Sequence, residues 1–408
     1  AAVDKLKGMG LKQHPLDPCC FLMYEGDLNP EYDTTAEHSN LLGPHGLCGM
    51  VIMHVDDMLG CGSPSSQCYN DTITKLKSTF NFREWKTGDD GKPLTYCGCD
   101  IQVKDDGLLL NQTSYMGKVK PITYDKKRSL TDALNQRELT QLRGLLGSLQ
   151  WPAVQSSPHL QSSTSILSGH VTKATLQTVA DTNRLLRFAK ENADVGLQYS
   201  HLGEVSELCL VCFFDAAFAT RSDGASQAGY VILMVNKALL QANGPEGAYH
   251  VLDWRSLKTP RVARSSLGAE AQSGGQACDA LEHASIYWSL LVDPRQRLQE
   301  LLDAPSLLSP TMITDAKALY DSYHREGVGS SVVDKRVSLE IRVMKDRLSS
   351  LGGSLRWMSS ERQLADGLTK ESARALLAQR LRHGRLKLVW DPSYKAAKKK
   401  TKAELQQS

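Results

Sequence analysis

The sequence predicts a multidomain chain of mixed class, α/β in one part and α+β in another, and three observations lead there. At 408 residues it is long enough for two or three units, each with its own core. Short apolar runs bounded by glycine recur before residue 115 and again after residue 207. Between them lies a stretch whose apolar residues fall three and four apart, the helical spacing. The 41% hydrophobic and 23% charged content excludes wholesale disorder and suits a water-soluble chain. The longest apolar runs, Leu208 to Phe214 and Val231 to Val235, are far short of the ~20 residues a membrane span needs. No membrane partner is expected.

Taken in order, LCGMVIMHVDDMLGCG (47–62) reads as a β-hairpin with Asp56 and Asp57 at its tip. Ile73, Leu76 and Phe80 then fall at helical spacing. LTYCGCDIQV (94–103) predicts a strand, turning at Asp105, Asp106 and Gly107 into a second, LLLNQ. From about Ser114 to Tyr199 the pattern is helical, notably at 138–150 and 174–191. Pro152 and Pro158 are expected to separate these helices within a Ser-rich loop. From Leu208 the predicted order is three strands, a long helix, strand, helix, strand, helix, a new α/β unit.

Ten cysteines are scattered without paired zinc-finger spacing, which fits a reducing compartment. Cys209 and Cys212 form a C-x-x-C inside the apolar run LCLVCFF and read as buried strand residues. The first residue is Ala, and the first twenty carry Asp4, Lys5, Lys7, Lys12 and His14 with no signal-peptide core. A fragment with a cytoplasmic or nuclear location is expected. Net charge is only +3, but Arg374, Arg380, Arg382, Arg385, Lys387, Lys395, Lys398, Lys399, Lys400 and Lys402 crowd the end of the chain. Such a run attracts a phosphate backbone or simply solvates a tail, and composition does not choose between them. Lys335 and Arg336 read equally as phosphate contacts or an exposed helix start.

Four acids in the last unit sit awkwardly for a purely structural role. Asp215 ends LCLVCFF, a run expected to be a central buried strand, where an uncompensated carboxylate is costly. Asp315 repeats the pattern in TMITDAKALYD, Glu270 lies early in the long helix, and Asp366 opens the last helix in QLADGLTK. Carboxylates of this kind bind hard cations such as magnesium, and four can hold two ions for phosphodiester hydrolysis. Taken singly, Asp315 and Asp366 also read as turn or cap residues, and Glu270 as part of a solvated face. Spacing alone does not decide.

The ordered blocks FFDAAFATRSDGASQAGYVILM, YHVLDWRSLKTPRVARSSLGAEAQ, ITDAKALYD and LRWMSSERQLADGLTK resemble the ribonuclease H domain of copia-type retrotransposon Pol. That resemblance implies a ribonuclease H-like α/β domain with a mixed five-stranded sheet. It makes Asp215, Glu270, Asp315 and Asp366 the catalytic, metal-binding acids, loaded with two Mg2+ ions or with Mn2+. The family often has two glutamates in the Ser-Ser block; here Gly268 takes the first place and Glu270 the second. Tyr230, Trp254, Ser256 and Lys258 match framework elements. Upstream, GLKQHPLDPCCFLM, VIMHVDDMLGCG, YCGCDI and LNQTSYMGKV resemble a reverse transcriptase palm, with Asp56 and Asp57 as its paired metal acids. LTQLRGLLGSLQW and TNRLLRFAKENADVGLQY resemble the helical connection.

The organisation this implies is a partial reverse transcriptase palm (1–113), a helical thumb or connection region (114–202), the ribonuclease H-like domain (203–370) and a basic helical or disordered tail (371–408). The expected activity is hydrolysis of the RNA strand of RNA:DNA hybrids, with RNA and DNA as partners and integrase and protease as upstream Pol modules. Polymerisation is not expected. His54 replaces the usual Tyr before V-D-D, and the third palm aspartate would lie before Ala1. A non-catalytic nucleic-acid-binding relic and an unstable pseudogene product are the alternatives.

Overall fold

The structure, a computed structural model, describes residues 2–25, 46–88, 91–293, 308–325 and 334–389, with isolated positions 296, 298 and 301. After helix α1 (Ala2–Gly8), strands β1 (Lys12–His14), β2 (Asp17–Tyr24), β3 (Leu47–His54) and β4 (Asp57–Gly62) form one antiparallel sheet in chain order, flanked by α2 (Gln67–Thr79). The predicted hairpin is β3–β4, closed by the pair His54 and Asp57, with Val55 forced to φ +53° in the two-residue turn. A β-branched residue in that region is strained.

A second sheet joins β5 (Leu94–Tyr96), β6 (Cys99–Lys104) and β7 (Gly107–Asn111) to β8 (Leu197–Ser200). The run expected as a single strand over 94–103 is therefore a hairpin. Cys97 and Gly98 both take positive φ, 49° and 74°, the conformation of the tight turn that matches strand twist. Between β7 and β8 come α3 (Thr113–Lys118), α4 (Gln136–Gln155), α5 (Gln161–Gly169) and α6 (Leu176–Glu191). The Ser-rich loop expected around the prolines shrinks to Ser156 and Ser157, between α4 and the single turn Pro158–Leu160. Pro152 lies inside α4, where it withdraws the donor that Ser148 O would otherwise use. Tyr115 Oη supplies that bond instead, at 3.2 Å. Ser162, Ser163 and Ser165 belong to α5, the first two of them buried.

The third sheet comprises β9 (Leu208–Ala217), β10 (Gln227–Asn236), β11 (Gly247–Lys258), then, after helix α7 (Ser266–Val292), β12 (Thr311–Thr314), α8 (Lys317–His324), α9 (Lys335–Ser350), β13 (Ser354–Trp357), the single turn α10 (Asp366–Thr369), α11 (Arg374–His383) and β14 (Arg385–Leu386). Its order is β13-β12-β9-β10-β11-β14, with β12 parallel to β9 and β13 and the remaining pairs antiparallel. It has six strands among the described residues, not the expected five. The sixth is the two-residue β14, which pairs with the start of β11. Two helices, α8 and α9, stand where one was predicted.

Alternation along β9 divides the core. Cys209, Val211 and Phe213 face α11 and β8, whereas Leu210, Cys212 and Phe214 face α7 and α9. Cys209 and Cys212 are thus on opposite sheet faces and cannot share a metal, and all ten cysteines are free thiols. Residues 371–389, expected as the start of a basic tail, pack on the sheet through Leu377, Leu381, Leu386 and Leu388. Arg374 donates to Ser163 Oγ at 3.1 Å and Arg382 pairs with Asp194 at 3.1 Å. Lys395, Lys398, Lys399, Lys400 and Lys402 lie outside the described residues. The first sheet rests on the end of α7, where Tyr24 Oη donates to Leu291 O at 2.8 Å. No helix among the described residues is long and apolar enough to cross a membrane.

Candidate metal centre

β12 runs parallel to β9 with Ile313 opposite Phe213, and Asp315 directly follows the last residue of β12, Thr314. Glu270 comes from the first turns of α7, whose start is fixed by Ser265 Oγ accepting from Gly268 N at 3.1 Å. Ser273, one turn further, donates to Asp215 O at 2.8 Å and to Gly229 O at 3.3 Å, pinning α7 to the strands. As a result, carboxylate oxygens of Asp215, Glu270 and Asp315 lie within 4.8 Å of one another.

Asp366 arrives separately, on α10. Gln363 Nε2 donates to Phe214 O at 3.0 Å just before the turn. Thr369 Oγ1 donates to Asp215 Oδ2, and Lys370 Nζ sits 2.7 Å from Asp366 Oδ1 and 3.4 Å from Asp215 Oδ2. Asp366 is therefore tied to the trio through Lys370 and Asp215. Gly229, paired with Asp215, makes this approach possible: a Cβ there would stand 2.7 Å from Leu368 Cβ. Gly229→Ala is expected to destabilise the chain by about 1–3 kcal/mol through overpacking. Urea unfolding checks this, and a wild-type midpoint would show that the turn has room to shift.

Burial dominates the electrostatics. Asp215 is 2% exposed and Glu270 8%. Burial pushes the Asp215 carboxyl up to about 6 against the pull of Lys370 and the Thr369 hydroxyl, with Asp366 and Asp315 adding to the rise. Glu270 is raised well above the usual glutamate range by burial, then by the charges of Asp215 and Asp315. For Lys370, burial works to lower the pKa, yet Asp215 and Asp366 outweigh it and the net shift is upward. Glu270 Oε2 is buried with no hydrogen-bond partner among the described residues, an arrangement that is costly unless a cation completes it. Oxygen donors, converging charge and this orphaned oxygen together fit a divalent hard cation.

The bland readings of these acids find little support. The N-cap of α8 is Ala316, not Asp315, and α10 has no side-chain cap bond. Glu270 is buried, not on a solvated face. Thr369 and Lys370 were missed as site residues, although both stand in the T-K of the last block. Their positions three and four after Asp366 on a helical turn are the available signal. Asp56 and Asp57 are exposed at the β3–β4 tip and join no group of three ligands among the described residues. Lys335 and Arg336 begin α9, where Asp334 caps the Arg336 amide at 2.9 Å.

No protein-family model matches the chain, and no curated protein matches it. Solved structures similar to it include RNase H1 from the halophilic archaeon Halobacterium salinarum, at 13% identity, covering 41% of this chain and 98% of that one, TM-score 0.25. The N-terminal RNase H domain of a Mycobacterium tuberculosis protein, solved as a fusion with maltose-binding protein, gives 18% identity, 42% and 99% coverage and TM-score 0.25. Prototype foamy virus protease-reverse transcriptase gives 12% identity and TM-score 0.24, covering 88% of this chain, which spans 47% of that one. Scores this low leave the chemistry of the site to its own geometry.

Proposed function

We propose that the chain hydrolyses the RNA strand of RNA:DNA hybrids at the carboxylate cluster, and that it derives from the Pol polyprotein of a copia-type retrotransposon. The observation that carries the activity is the convergence of Asp215, Glu270 and Asp315 oxygens within 4.8 Å. On this reading Asp215, Glu270, Asp315 and Asp366 would hold two Mg2+ ions, with Mn2+ as a substitute. When bound, the ions supply the charge that aims the attacking water and neutralises the leaving oxygen in an in-line displacement at phosphorus. Lys370 balances Asp215 and Asp366 and, being partly exposed, is placed to meet a backbone phosphate. Hybrid recognition would rest on backbone shape and the 2′-hydroxyl.

On this reading residues 1–113 are a partial palm, 114–202 the connection region, 203–370 the nuclease unit and 371–408 a basic extension, with integrase and protease as modules of the parent polyprotein. Asp56 and Asp57 lack a third carboxylate among the described residues, and polymerisation by this chain is not proposed. The test is an end-labelled RNA:DNA hybrid incubated with the full chain in Mg2+ or in EDTA. RNA-strand cleavage in Mg2+ alone is the expected result. Salt-sensitive hybrid binding without turnover would favour the non-catalytic relic instead.

A further inference from the structure

The turn that carries Asp366 is only four residues long and is closed by Lys370 N donating to Asp366 O at 2.8 Å. Its next two carbonyls, those of Gly367 and Leu368, are held from outside. Ser162 Oγ, on α5 and 205 positions away, donates to Gly367 O at 3.0 Å. Ser256 Oγ, on β11, donates to Leu368 O, and Gln227 Nε2 donates to Ser256 Oγ at 2.8 Å. Ser162 is fully buried and Ser256 is 7% exposed, so water does not compete for either bond.

α5 is itself fixed to the third sheet on several sides. Arg374 donates to Ser163 Oγ, Gln227 Nε2 to Ser165 Oγ at 3.2 Å and Arg221 Nη2 to Ser165 O at 3.4 Å. Just upstream, Trp254 Nε1 donates to Ala153 O at 2.8 Å. The serines of this run thus face the nuclease unit, and one of them reaches the turn bearing its fourth carboxylate.

We infer that Ser162 is a positioning residue for Asp366, which makes helix α5 of the connection region a structural part of the metal centre. This rests on the proposed function, because the role of Asp366 as a ligand does. Ser162 acts by fixing the Gly367 carbonyl and with it the direction of the Asp366 carboxylate beside Asp215. Partners of this supporting kind commonly alter metal affinity by about 10–100-fold.

Calorimetric titration of the full chain with Mn2+ tests it through a double-mutant cycle. Ser162→Ala is expected to weaken Mn2+ uptake about tenfold, to have no further effect in an Asp366→Asn background, and to be rescued by Ser162→Thr, which keeps the hydroxyl. Should Ser162→Ala not fold, Ser162→Cys keeps the volume while weakening the donor and carries the same expectation. Hydrogen exchange of the metal-free protein adds a second readout, with the amides of Leu368 and Lys370 exchanging faster in the variant. Uptake by the wild type that the Ser162 variants leave unaltered, or an equal loss in the Asp366→Asn background, overturns this inference alone. A wild-type chain that takes up no Mn2+ overturns the functional reading and this inference with it.

Discussion

Asp215→Asn is expected to abolish hybrid cleavage and, at the same time, to raise the melting temperature of the metal-free chain at pH 8. The two effects have one cause. Asp215 is 2% exposed, and its carboxyl stays raised to about 6 even after Lys370 and Thr369 have pulled it down. Without a divalent cation the ionised form is therefore a net burden on the fold. A rise from 3.8 to about 6 corresponds to roughly 3 kcal/mol at a pH above both values. Asn removes that charge, and its side-chain oxygen can still accept the Thr369 hydroxyl. Cleavage, by contrast, loses a carboxylate of the proposed ion site, a loss of about 1,000-fold or more in kcat. Thermal melts in EDTA beside a gel assay in Mg2+ measure both. A variant that cleaves like the wild type would remove Asp215 from the site, and one that melts lower in EDTA would show that the carboxylate is a structural anchor.

The second large effect is on how stability follows pH. Both Asp215 and Glu270 have folded-state pKa values above their unfolded ones. The native chain therefore binds more protons than the unfolded chain between those values, and stability falls as pH rises across that interval. For Asp215 the contribution is fully present below about 4 and is lost as pH climbs through about 6; for Glu270 the interval extends higher. Other carboxylates contribute with the opposite sign, so the quantity to measure is the difference between the wild type and the Asp215→Asn, Glu270→Gln double variant in EDTA. That difference is expected to move against the wild type from pH 4 to pH 8. Mg2+ at 100 times its dissociation constant should offset about 2.7 kcal/mol of it at pH 8. A pH-independent difference would mean that these acids are solvated and poorly suited to gather cations.

Much of the local structure was legible from residue pattern. The hairpin around Asp56 and Asp57, the long helix bearing Glu270 and the strand bearing Asp215 follow from apolar runs, spacing and glycine placement, which act over a few residues. Two of the differences show where such local reading stops. Gly98 was read through as part of one strand because the left-handed conformation of its neighbour Cys97 leaves no compositional trace. The serines around Pro152 and Pro158 were read as a loop because serine and proline commonly mark loops. Here Tyr115 supplies the bond that Pro152 withdraws, and buried partners satisfy the hydroxyls.

Sequence by itself marked Asp215 and Asp315 as candidates, since a carboxylate after an apolar run is visible in one dimension. Only the tertiary structure decided that Asp215, Glu270 and Asp315 meet, that Lys370 and Thr369 tie Asp366 to them, and that Ser162 holds the turn in place. Thr369 reaches Asp215 across 154 positions and Ser162 reaches Gly367 across 205. Residue pattern carries information over the period of a strand or helix, whereas contacts at such separations are chosen by the packing of whole sheets and helices, after the local elements have formed.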